Sequence, residues 1–143
     1  MSIVQGQTTT FKTNLLSGLV NFNTGTSYVY KIALYTANAN LNNTTAAYTT
    51  VGEVVGTGYT AGGKTLVVST VPTGDTTNNI AYLSFDPVVW TGAVFTARGA
   101  LIYNSTTNAS VIVLNFGSDK TAANTFTITF PTVGSTTSVF TIS

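Results

Sequence analysis

Thr125-Phe126-Thr127-Ile128-Thr129-Phe130-Pro131 decides the fold class of this chain. Threonine alternates with a large apolar residue. In an extended strand, one face therefore carries hydroxyls and the other carries Phe126, Ile128 and Phe130. Threonine is β-branched and stiff at χ1, which suits the wet face of a pleated sheet. Pro131 has no N–H to give and halts the ladder.

Working outward, the period persists. Phe140 and Ile142 alternate with Val139 and Thr141 beyond a turn at Gly134 and Ser135. Upstream, Ser110 to Phe116 ends at Gly117, and Tyr28–Thr36, Lys64–Val71 and Ile80–Phe85 are similar runs bounded by Gly, Asn, Asp or Pro. Val94–Asn104 is apolar on both alternating faces, with Val94, Ala100 and Ile102 on one and Phe95, Leu101 and Tyr103 on the other. That is the pattern of a central strand. One segment, about 10–21, reads as a helix: Thr9 or Thr10 serves as N-cap, and Phe11, Leu15 and Leu19 share a face. Gly18 inside it costs about 1 kcal/mol relative to alanine. Ala37–Thr50, rich in Asn and Thr, reads as an excursion over the surface. The expectation is one all-β domain over residues 1–143. It is a β-sandwich or jelly-roll-like barrel of seven or eight antiparallel strands from about residue 27 onward, with one short N-terminal helix.

Composition bounds the chemistry. With 143 residues there is room for one domain. The chain has no cysteine and no histidine, so thiol chemistry, the commonest transition-metal ligand and the commonest neutral-pH base are all missing. Charged residues make up 6% of the chain, and the formal net charge is +1. An average soluble protein has about 25%. Binding to nucleic acid or to an anionic membrane has no electrostatic basis. Thr or Gly interrupts every apolar run before membrane-helix length. Met1–Gln7 lacks the basic start and apolar centre of a secretory signal, which points to synthesis and retention in a cytoplasm.

The apparent motifs are weak. Gly58, Gly63, Lys64 and Thr65 match GxxxxGK[ST], but Leu66, Val67 and Val68 follow as a strand, not the helix a phosphate loop needs. A glycine turn is the expectation. Asn42, Asn43, Asn104 and Asn108 begin N-x-[ST] patterns that threonine abundance makes inevitable. Trp90, after Pro87, Val88 and Val89, belongs in the core. Four carboxylates exist, Glu53, Asp75, Asp86 and Asp119. Asp75 and Asp119 sit in turn-like sequence, whereas Glu53 and Asp86 have apolar neighbours. Arg98 interrupts the most apolar strand, and a buried guanidinium needs a counter-ion. The expectation is a structural ion pair of Arg98 with Glu53 or Asp86, tying a loop to the sheet. Catalytic, cofactor-binding and metal-binding residues are not expected, and no cofactor is implied. A hydrolase built on Glu53 with Asp86 ranks last.

Lys31-Ile32-Ala33-Leu34-Tyr35-Thr36, the segment from Glu53 through Gly58-Tyr59-Thr60-Ala61-Gly62-Gly63, Trp90-Thr91, Thr96-Ala97-Arg98-Gly99-Ala100-Leu101-Ile102-Tyr103-Asn104 and Phe116-Gly117 resemble, in that order, a group of small virion proteins of tailed bacteriophages. The similarity runs from about Phe11 to the end. It implies a structural virion component, made in the host cytoplasm, with the major capsid protein as partner and self-association, as a trimer on a capsid three-fold, as a further expectation. Decoration or cementing of the capsid is the first reading. A tail or fibre module that binds a host-surface glycan through exposed aromatics is the second.

Overall fold

The computed structural model describes residues 2–143 and is all-β with one short helix. Its elements are β1 (Gly6–Gln7), α1 (Thr9–Leu16), β2 (Tyr30–Tyr35), β3 (Lys64–Thr65), β4 (Val68–Asp75), β5 (Ile80–Phe85), β6 (Val88–Thr91), β7 (Phe95–Asn104), β8 (Ser110–Ala122), β9 (Thr125–Ile128) and β10 (Phe140–Ile142). A five-stranded sheet has the order β1-β8-β7-β2-β3, a three-stranded sheet β10-β5-β4, and a two-stranded sheet pairs β6 with β9. All paired strands run antiparallel. The deciding stretch is β9, with Phe126, Ile128 and Phe130 buried and the threonines exposed.

The layers follow from alternation. Tyr30, Ile32 and Leu34 of β2 with Ala100 and Ile102 of β7 face the larger core, where they meet Leu83 and Phe85 of β5, Trp90 of β6, Phe126 of β9, Phe140 of β10 and Phe11 of the helix. Ala33, Tyr35, Leu101, Tyr103 and Val113 point to the opposite face and meet Ile3, Ala39, Leu41 and Tyr48. The five-stranded sheet is thus covered on both sides. The segment expected to wander over the surface is in fact its second cover. Ala39 and Leu41 are fully buried, and isolated bridges join Ile3 to Leu41 and Ala47 to Ala109. Sparse apolar residues, each placed against the sheet, give no period to read.

β7 is the central strand, as its composition requires, but its two faces differ from simple alternation. The β7–β8 register slips between Ala97 and Gly99, where Ala97 faces Lys120 and Gly99 faces Asn115. Phe95 and Ala97 therefore join Ala100 and Ile102 in the larger core, while Val94 is exposed. On β8 the extra residues form a bulge around Gly117, whose φ of 79° lies in the left-handed region. The helix is shorter than residues 10–21. Thr8 is the N-cap, its Oγ1 accepting from the Phe11 N–H at 3.1 Å. Gly18 lies outside the helix at φ 73° and terminates it, because the Gly18 N–H donates to Leu15 O and the Leu19 N–H to Asn14 O. Of the apolar helix positions only Phe11 is buried.

Candidate functional site

Glu53 is the most unusual polar residue in the fold. It is buried at 7% exposure in the second half of the long connection between β2 and β3, bridged to Tyr35 at the end of β2. Its Oε2 accepts from Tyr48 Oη, and its Oε1 accepts from both Tyr59 Oη and the Gly62 N–H, all at 2.7 Å. Among the described residues no cation pairs with it, and the three donors compensate the buried carboxylate. The phenols extend the knot: Tyr35 Oη donates to Thr49 O at 2.6 Å, Tyr103 Oη donates to Gly62 O at 2.8 Å, and the Leu34 N–H donates to Tyr59 Oη at 2.9 Å. Tyr48 and Tyr103 stack with centroids 4.7 Å apart. Burial raises the Tyr35, Tyr48 and Tyr59 hydroxyls well above the ordinary phenol range, and the Glu53 carboxylate adds to the effect. These groups stay protonated and donate.

The knot closes an exposed edge. β3 pairs with only Lys31 and Ile32 of β2, which leaves Ala33–Tyr35 bare on that side. The connection fills the gap through the Val54 N–H to Leu34 O bond, Tyr59 and the Glu53 bridge. It does so by running backbone against backbone, which explains its glycines. At Gly63, with φ 75°, a Cβ would overlap the Ile32 carbonyl; at Gly56 it would lie 2.7 Å from Val94 O.

The expected ion pair is corrected. Arg98 bonds neither Glu53 nor Asp86; its Nη1 lies 3.1 Å from Asp119 Oδ1, and the two side chains are 38% and 53% exposed. The slip at Arg98 turns the guanidinium outward, and the β8 bulge brings Asp119 opposite. Glu53 uses neutral donors instead, and Asp86, just after β5, is exposed. The structure therefore does not bring together the three residues singled out by sequence. What apolar flanks could not disclose is that Tyr48, Tyr59 and Gly62 of the same connection fold back onto Glu53.

Lys64 is not part of a phosphate loop. Its Nζ donates to Val89 O at 2.6 Å and sits 5.9 Å from the centre of the Trp90 ring, and the strand β3 begins at this residue. Asp75 caps the β4–β5 turn; the Ser135 hydroxyl, then the Asn78 side chain and backbone, hold its carboxyl down at about 2. No group of three His, Cys, Asp or Glu side chains that could hold a metal occurs among the described residues. Nor is any helix there long and apolar enough to cross a membrane.

The surface remains. Among the described residues the exposed large hydrophobic side chains are all aliphatic, Val55 and Leu16 being the extremes at 94% and 91%. Leu15, Val20, Ala81 and Ile142 wall an apolar groove of about 280 Å³ where the end of α1 meets β5 and β10. Phe, Tyr and Trp side chains are all buried or only partly accessible. No protein-family model, curated protein or solved structure matches the chain.

Proposed function

We propose that this chain is a non-enzymatic virion component that docks on the major capsid protein and stabilises the shell. The carrying observation is the character of the surface: aliphatic and threonine side chains exposed in quantity, few charges, and every aromatic ring turned at least partly inward. A neutral surface loses little hydration when it is covered, and interface centres are depleted in charge. Many weak contacts over neighbouring capsomers then hold by avidity. A sugar platform needs an exposed ring to stack on, and this surface offers none ready-made, so the glycan-binding module is the weaker reading. Glu53 supports the same conclusion from the chemical side, since both of its oxygens are engaged by the fold's own donors.

The test is co-sedimentation with emptied heads followed by calorimetry. Docking predicts that the protein pellets with heads at a fixed stoichiometry and raises their melting temperature. Recovery in the supernatant, together with binding to host cells, would replace this reading with the adhesin.

A further inference from the structure

β8 and β9 are consecutive yet unpaired. β8 runs to Ala122 beside β7; after two intervening residues β9 begins, paired with β6 in a different sheet. Each strand therefore shows a bare edge at this point. Lys120–Ala122 have β7 on one side and no strand on the other, since β1 reaches only Ile112 and Val113. Thr125–Ile128 have β6 on one side only. Among the described residues, no backbone group of 120–122 or 125–129 bonds to the chain outside these ladders. Phe116, Lys120, Thr121 and residues 125–129 line a cleft of about 450 Å³.

An open strand edge is a template for another strand. At about 3.4 Å per residue the four residues of β9 offer about 14 Å of ladder. Thr125, Thr127 and Thr129 stand exposed along it and suit short β-branched neighbours. The charge at the cleft is positive. Asp119 is taken by Arg98, and Lys120, exposed, forms no ion pair among the described residues.

We propose that this cleft binds an extended, threonine- or valine-rich segment of a partner protein with an acidic group at the end beside Lys120. This rests on the docking reading and adds the partner's chemistry to it. The strand makes main-chain hydrogen bonds to an open edge, and its carboxylate faces the Lys120 ammonium.

The probes are N-acetylated, C-amidated peptides VTVTE and EVTVT, titrated into the ¹⁵N-labelled protein and followed by amide shifts. The expected result is saturable movement of the amides of residues 120–122 and 125–129 by one of them. N-methylation of alternate peptide nitrogens weakens binding about tenfold or more. Exchange of the peptide's Glu for Lys weakens it about three- to five-fold, and Lys120→Glu reverses that preference. Shifts elsewhere, none at all, or equal binding of the N-methylated peptide would overturn the proposal. Movement of the same amides with protein concentration alone would also overturn it, by assigning the cleft to a second copy of the chain. Retention on heads with no peptide response sinks the cleft and leaves docking standing; loss of head binding sinks docking whatever the peptides do.

Discussion

Replacing Glu53 by glutamine tests whether this carboxylate serves the fold. Three donors reach it at 2.7 Å, from Tyr48, Tyr59 and Gly62. A hydrogen bond to a charged group is worth about 1.5–3 kcal/mol net, and one between neutral groups about 0.5–1.5 kcal/mol. Glutamine keeps an oxygen for Tyr59 and Gly62 but sets an amide nitrogen against Tyr48, so each bond weakens by about 1 kcal/mol. Part of that loss returns because an amide is cheaper to bury than a carboxylate. The expected destabilisation is about 1–3 kcal/mol, against a total of about 5–15 kcal/mol for a typical domain. Glu53→Leu strands all three donors at about 1–3 kcal/mol each and should leave little folded protein. Urea unfolding reads the difference: with a slope of about 1–3 kcal/mol per molar, Glu53→Gln should lower the midpoint by roughly 0.3–3 M. In a double-mutant cycle, Tyr48→Phe should cost less when combined with Glu53→Gln than it does in the native chain. A Glu53→Gln midpoint equal to or above the native one would show that the carboxylate does not hold the fold together. It is also the result expected of a carboxylate held at a site for chemistry, since functional residues commonly detract from stability.

Tyr35, Tyr48 and Tyr59 are raised above the ordinary phenol value of 10 chiefly by burial. The folded protein thus keeps protons that the unfolded chain releases, so this stabilisation is complete below pH 10 and falls as pH rises above it. Absorbance at 295 nm should show these phenols ionising only together with loss of the circular-dichroism signal; their ionisation at pH 10 in the native fold would contradict the burial argument. Gly63→Ala should cost at least about 1–3 kcal/mol from the left-handed backbone, before counting the clash with Ile32, and a calorimetric melting temperature checks it. Arg98→Ala and Asp119→Ala should each shift stability by less than about 1 kcal/mol, because the pair is exposed; urea midpoints showing a loss above about 2 kcal/mol would mean a buried role.

Strand positions were legible where one face is wet. β10 falls at the residues its alternation predicts and β9 at all but the last two of its own, while β5, buried on both faces from Leu83 to Phe85, falls at the run its flanking turn residues bound. Composition also marked β7 as central. It did not show the slip at Arg98, where the register against β8 shifts between Ala97 and Gly99 and β7 changes which alternate residues face the larger core; Gly99 inside the strand is the one local mark of it. The same shift decided the ion pair. An arginine among apolar residues reads as buried only if the strand keeps its alternation, and here it does not. Gly18 read as a flaw inside a helix and is its terminator, a difference that depends on one positive φ. Glu53 was legible as unusual. Its partners were not, since Tyr48, Tyr59 and Gly62 meet it through loop geometry that has no period. The cleft between β8 and β9 depends on consecutive strands entering different sheets, which local sequence does not specify.

The proposed docking on a capsid is tested most directly by locating the protein. A reconstruction of the whole particle should place density of this domain's size on the outer face of the capsid, repeated over the capsomers and in contact with the major capsid protein. Density confined to the tail or its fibres, or no copy on the particle, would contradict it.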